Sequence, residues 1–143
     1  MTDLSEPRLV VRASAIHQRG CFAAEPIAAG TRVREYRGER IRPEEALRRE
    51  ADPARPGIYT VWLDHSVIDG WVGGNESIYI NHACTPNCDF DFAGDRVFIC
   101  ANRAIAAGEE LTLDYAYDAD TELEPCFCAT PNCRGYLNDL SSA

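Results

Sequence analysis

A chain of 143 residues is one domain, or slightly more, with enough length for a real core. No run approaches the ~20 apolar residues that cross a bilayer, and the polar start Met1-Thr2-Asp3-Leu4-Ser5 is unlike a signal peptide, so membrane, secreted and fibrous classes are set aside and an intracellular protein is expected. The net charge of −9 disfavours direct binding to phosphate backbones.

That charge is uneven. All 14 cations are arginine; residues 1–58 carry 11 of them against 9 acids, and residues 59–143 carry 3 against 14. The acidic second part suits a Lys/Arg-rich peptide, although the same acids would serve solubility equally well. The Ala-rich, Arg-only composition leans toward a bacterial genome and cytoplasm, with the nucleus or delivery to a host left open.

Along the chain, short strands and tight turns dominate. Leu9-Val10-Val11, Gly20-Cys21-Phe22, Thr31–Tyr36, Tyr59–Leu63 and Val97–Cys100 alternate or run apolar as strands do. One helix is expected from Pro43 to about Ala51, with proline in its first turn, Glu44 and Glu45 at the positive end and Arg48 and Arg49 at the negative end. Asp52-Pro53-Ala54-Arg55-Pro56-Gly57 stops it. A short helical turn is expected over Glu76–Tyr79. Ile27-Ala28-Ala29-Gly30 is echoed by Ile105-Ala106-Ala107-Gly108, each a glycine turn feeding a strand that ends in acid–tyrosine. The fold class is mostly β.

Seven cysteines, an odd number, argue against a disulfide framework and for metal or free thiols. Cys126, Cys128 and Cys133 form C-x-C-x4-C around Thr130-Pro131-Asn132, leaving a tetrahedral zinc ion one ligand short. Cys84 and Cys88, in the turn-rich stretch His82–Cys88, both qualify as the fourth, and spacing alone does not choose. Cys21 and Cys100 lie in strand-like runs and are expected to be buried structural thiols.

Four segments now matter in order: Arg19-Gly20-Cys21-Phe22-Ala23, Asn81-His82-Ala83-Cys84-Thr85-Pro86-Asn87-Cys88, Gly108-Glu109-Glu110-Leu111-Thr112-Leu113-Asp114-Tyr115, and Cys126–Cys133 with Arg134-Gly135-Tyr136-Leu137. Together they resemble the SET-domain protein lysine methyltransferases with a post-SET zinc segment, over residues 8 to 138. The resemblance implies several small sheets around a knot-like C-terminal crossing, one short helix and a small zinc-bound C-terminal segment. It places a catalytic domain at 1–120, with a very short insert at about 42–57, and the post-SET segment and tail at 121–143.

Roles follow from the same resemblance. Tyr115 would stand at the methyl-transfer channel. His17, Gln18, Arg19, Gly20, Tyr59, Asn81, His82 and Phe127 would hold S-adenosylmethionine. Tyr36, Val61, Leu113 and Tyr117 would line the substrate-lysine channel. Cys84, Cys126, Cys128 and Cys133 would bind one structural zinc ion, leaving Cys88 outside. The implied reaction is methyl transfer to lysine in a basic protein, a histone or another, with no direct nucleic acid or membrane partner and an open oligomeric state. A catalytically silent zinc-containing peptide-binding module is the alternative, and a zinc-bearing nucleic-acid binder is a poor third at this charge. The chain departs from the family pattern at Gln18, where a glycine is usual, at Ile78 and Tyr79, and at Leu113, where an aromatic residue is usual.

Overall fold

The pairing of short, mostly antiparallel strands dictates the architecture in a computed structural model that describes residues 6–16, 18–55, 59–115, 126, 128 and 133–137. β1 (Leu9–Ala13) and β2 (Arg19–Ala23) form a hairpin in which Val10 faces Phe22. β3 (Arg32–Glu35) pairs with the later strand β9 (Arg96–Ala101), which also pairs with β8 (Cys88–Ala93), giving the order β3-β9-β8. β4 (Glu39–Ile41), β5 (Thr60–Trp62) and β6 (Val67–Asp69) make a second three-stranded sheet, ordered β4-β6-β5. β7 (Asn81–His82) and β10 (Thr112–Leu113) form a two-residue parallel pair. The fold is mostly β, with several small sheets and one α-helix among the described residues. The knot-like C-terminal crossing falls on residues outside the described ones.

The repeated Ile-Ala-Ala-Gly segments turn out to pair with each other. Ile27 and Ile105 exchange both backbone hydrogen bonds at 2.8 Å. The N–H of Gly30 donates to Ala101 O at 2.8 Å, and the N–H of Gly108 donates to Ala23 O at 2.7 Å. Both glycines have positive φ, +83° and +87°, a region open to glycine and costly for residues with a Cβ. Bridges flank this centre symmetrically, Phe22 with Glu110 and Arg32 with Cys100. The two strand entries are therefore related by a local two-fold, and this junction sends β3 to one side and the 109–115 segment to the other.

The core gathers Cys21, Val33, Ile68, Ile80, Val97, Ile99, Ile105, Leu111 and Leu113 from these sheets. Cys21 and Cys88 are fully buried, and burial pushes both thiols up to about 12, as suits inert structural cysteines. β8 was not anticipated: Asp89 and Asp91 are poor strand formers, but they alternate with Phe90 and pair along the whole of β9.

The helix, α1 (Pro43–Glu50), carries its acids and arginines at the expected ends. A buried carboxylate fixes it to the sheet. Asp69, at the end of β6 and fully buried, accepts from Arg49 at 2.8 Å, from Arg55 at 2.8 and 3.0 Å, and from Trp71 N–H at 3.1 Å. Burial would raise this carboxyl, but the hydrogen bonds from Arg55 and Arg49 outweigh it and hold the group below its ordinary value. Other arginines of the first part also reach acids of the second: Arg32 to Asp91 at 3.3 Å, Arg34 to Glu76 at 2.6 Å, and Arg40 to Asp95 at 3.7 Å. Four acids of the second part are thus paired with arginines of the first, Asp69 in the interior and the others at the surface.

Asp69→Asn should cost about 3 kcal/mol at neutral pH, because it leaves two guanidinium groups without their buried anion. A carboxyl held low contributes fully above its unfolded value and loses that contribution as pH falls through the native one. Urea unfolding should therefore show a constant difference between the two proteins from pH 7 to pH 5, narrowing only below about pH 4.

Candidate functional site

Two residues of parallel strand bring together segments thirty positions apart. Asn81 lies opposite Thr112 and His82 opposite Leu113, and Ala83 N–H donates to Leu113 O at 3.0 Å. So short a pairing needs side-chain support, and Asn87 supplies it. Its Oδ1 accepts from Thr112 N–H at 2.9 Å, its N–H donates to Thr112 Oγ1 at 3.1 Å, and its Nδ2 donates to Glu110 O at 2.9 Å. The sequence offered Asn87 only as a turn residue of Thr85-Pro86-Asn87. Its role in clasping β10 emerges from contacts across 25 positions.

Asn81 points at the first loop. Its Nδ2 donates to Arg19 O at 2.9 Å and to Glu110 Oε2 at 2.9 Å, and Ser14 Oγ donates to both Glu110 carboxylate oxygens at 2.9 Å. Gly20 sits beneath that carboxylate, where a Cβ would lie 2.2 Å from Glu110 Oε2. A side chain at Gly20 would displace the Glu110 carboxylate from Ser14 and Asn81. Gln18 takes φ +22°, the only non-glycine positive φ among the described residues, at the position where the family pattern has glycine. Ser14 and Glu110 were not singled out from sequence, because their meaning depends on this convergence.

His82 joins two parts of the site. Its Nδ1 accepts from Tyr115 N–H at 3.0 Å, which leaves the ring proton on Nε2, 3.5 Å from Cys84 Sγ. Burial drives its pKa down to about 4, so the ring is neutral. Tyr115 packs edge-on against it with ring centres 5.4 Å apart, and its hydroxyl donates to Ile80 O. Tyr36 is buried and donates to Tyr59 O at 2.6 Å, while the Tyr59 ring stacks on Trp71 at 4.9 Å. Val61 packs on the same core, and Leu113 is buried within it. Trp62 is half-exposed, with its indole N–H on Glu50 of α1. His17, Tyr117 and Phe127 lie outside the described residues.

The sulfur atoms of Cys84, Cys126, Cys128 and Cys133 all lie within 4.8 Å of one another. Cys84 and Cys126 are 3.8 Å apart, close to the edge of about 3.8 Å that a tetrahedron with Zn–S bonds near 2.3 Å requires. Backbone N–H groups of Cys128, Arg134 and Gly135 donate to the sulfurs of Cys126, Cys84 and Cys133 at 3.4, 3.3 and 3.4 Å, as they do toward thiolates. Burial raises the Cys126 thiol, and a cation bound among the four sulfurs would be what favours their thiolate form. The donor set and geometry fit zinc. Cys88 lies apart, in the core of the β8 strand.

Residues 18–116 match the family described as SET domain. A protein named "Histone-lysine N-methyltransferase, H3 lysine-4 specific" from Yarrowia lipolytica is 43% identical over 135 residues, covering 87% of this chain and 12% of the relative. Proteins of the same name from Saccharomyces cerevisiae and Schizosaccharomyces pombe are 42% and 44% identical, each over 87% of this chain, and over 13% and 14% of their own length. The chain thus spans roughly an eighth of these relatives. They are eukaryotic, and the compositional lean toward a bacterial cytoplasm finds no support among them. No helix among the described residues is long and apolar enough to cross a membrane.

Metal analysis of single Cys→Ser variants should find about one zinc per chain in the unaltered protein and its loss when Cys84, Cys126, Cys128 or Cys133 is replaced. Cys88→Ser should keep the ion. The opposite result for Cys84 and Cys88 would exchange the fourth ligand.

Proposed function

Since the chain belongs to the SET-domain family, we propose that it transfers methyl groups from S-adenosylmethionine to the side-chain amine of lysine in a basic protein. The names of its relatives make histone H3 the first substrate to test, at lysine 4. The observation that carries this reading is the pairing of Asn81-His82 on β7 with Thr112-Leu113 on β10, which runs directly into Asp114-Tyr115 and is locked by the bond from Tyr115 N–H to His82.

In this reading residues 1–120 form the catalytic domain and residues 121–143 the post-SET segment. Asn81, His82, the loop His17-Gln18-Arg19-Gly20, Tyr59 and Phe127 hold the cofactor. S-adenosylmethionine, when bound, supplies an electrophilic methyl group on a sulfonium. Tyr36, Val61, Leu113 and Tyr117 enclose the lysine stem, and Tyr115 borders the path of the methyl. The lysine ammonium first loses its proton to solvent, favoured by repulsion from the sulfonium. The chain's own part would be to hold the neutral amine between Tyr36, Val61, Leu113 and Tyr117 in line with that methyl group, so that an N–C bond could replace the donor's C–S bond. Confinement by aromatic walls favours this in-line geometry and excludes competing water. Zinc on the four cysteines ties the last segment to Cys84, two residues from His82.

Tyr115→Phe should abolish methyl transfer to histone H3 while S-adenosylmethionine still binds, measured by radiolabel incorporation and calorimetry. Normal turnover in this variant would remove Tyr115 from the chemistry. A wild-type chain that binds H3 peptide and zinc but transfers no methyl would leave the silent binding module in place of the enzyme.

Leu113 bears on how many methyl groups are added. It has no hydroxyl to hold water against a methylated amine and is smaller than the aromatic ring usual at this position, which leaves room for further methyl groups. Mass spectrometry of the exhausted reaction should show products beyond monomethyl-lysine, and Leu113→Tyr should shift them toward monomethyl-lysine at similar substrate binding.

A further inference from the structure

The loop between β1 and β2 is fastened by a carboxylate that belongs to neither strand. Backbone pairing sets Glu110 there: Leu111 N–H donates to Cys21 O at 2.8 Å, Ala23 N–H donates to Glu109 O at 2.9 Å, and Phe22 bridges to Glu110 itself. The Glu110 side chain then lies over Gly20, which has no Cβ to push it away. In that place it gathers two distant donors. Ser14 Oγ donates to both carboxylate oxygens at 2.9 Å, and Asn81 Nδ2 donates to Oε2 at 2.9 Å. Hydrogen bonds to an ionised carboxylate are the strong kind, so this is a firm junction.

The loop is built on the same hydroxyl. Ser14 Oγ accepts from Ile16 N–H at 2.9 Å, and Ser14 N–H donates to Gln18 O at 3.1 Å, so the atom that Glu110 grips is also a corner of the loop. Gln18, with φ +22°, holds a conformation that persists only where surrounding contacts enforce it. On the other side, buried Asn81 shares its Nδ2 among Glu110 and Arg19 O at 2.9 Å and Ser14 Oγ at 3.3 Å. These acceptors decide which end of the amide is nitrogen and so orient the side chain. The neighbouring acid does none of this: Glu109 pairs with Arg103 and accepts from Ala106 N–H at 3.0 Å.

We propose that Glu110 is a positioning residue for the methyl donor: its carboxylate clamps the 14–18 loop, through Ser14, to the Asn81 amide, and so presets the two elements that receive S-adenosylmethionine. The functional consequence rests on the reading that this loop and Asn81 hold the cofactor, whereas the clamp itself does not.

The test uses the full chain carrying Glu110→Gln, Ser14→Ala, both together, or Glu109→Gln. It measures S-adenosylmethionine binding by calorimetry, amide hydrogen exchange without cofactor, and kcat and KM for S-adenosylmethionine and an H3 peptide. Glu110→Gln keeps the shape but leaves one acceptor where two donors converge. It should weaken S-adenosylmethionine binding about 10-fold, in Kd and KM alike, with kcat and peptide KM within about threefold. Exchange at the Ser14 and Ile16 amides should rise about fivefold or more while β8–β9 amides stay protected. Ser14→Ala should weaken binding about fivefold, and the double variant about 10-fold rather than the product of about 50-fold, because both act through one clamp. Any part of the Ser14 effect that runs through Ile16 N–H is the same in both backgrounds and cancels. Glu109→Gln removes the same charge and should leave cofactor affinity within about twofold, which separates the clamp from general attraction to a cationic donor. Unchanged cofactor affinity in Glu110→Gln, an equal loss in Glu109→Gln, effects that multiply in the double variant, a fall in kcat with cofactor affinity intact, or a uniform rise in exchange across all amides would each overturn the proposal. An unaltered chain that binds no S-adenosylmethionine would sink the cofactor reading and the role drawn from it, and the exchange data would still decide the clamp.

Discussion

The site depends on a parallel pairing only two residues long. β7 and β10 have few ladder bonds of their own, so they come together only because side chains brace them: Asn87 around Thr112 on one flank, and the His82 ring under Tyr115 N–H on the other. Each such bond contributes roughly 1 kcal/mol net, but an unmade one at a buried group costs more. Buried Asn87 and His82 therefore specify the register more sharply than their individual strengths suggest. A slip of one residue would reverse the faces of Leu113 and Thr112 and move Tyr115 away from Ile80.

Around this pairing the fold supplies two rigid supports. One is the local two-fold at Ile27 and Ile105, which aims the 109–115 segment past the first hairpin and sets Glu110 above Gly20. The other is the buried Asp69, which pins α1 and residue Arg55 against β6 and accepts from the N–H of Trp71, whose ring covers Tyr59. The first works through backbone hydrogen bonds, the second through one buried carboxylate and the two guanidinium groups that reach it.

The strand and helix pattern was largely legible in the sequence. The helix beginning at Pro43, the turn at Glu76–Tyr79 and the strands around Val33, Val61 and Val97 all follow from local periodicity and end signals. The strand expected after Gly108 is present as β10, whereas β4, β6, β7 and β8 were not legible. β4 and β6 are three residues long and β7 two, β8 alternates phenylalanine with aspartate, and each exists because another strand pairs with it. The acidic surplus of the second part was also visible, but its reading as an open basic-peptide surface was incomplete. Arginines 32, 34, 40 and 49 cross the fold to occupy several of those acids.

By itself the sequence determined the chemistry of the parts. The Asn-His pair, the Asp-Tyr pair and the cysteine spacing name their donors and acceptors because such groups are local and covalently spaced. Tertiary structure decided which parts meet. It brings Cys84 rather than Cys88 to the C-terminal cysteines, because Cys88 has already entered the core as the first residue of β8. It sets Glu110 against Asn81 and Arg134 against Asp114, pairs separated by 29 and 20 positions. Contacts of this kind come from strand register and burial of the whole chain, and no local pattern encodes them.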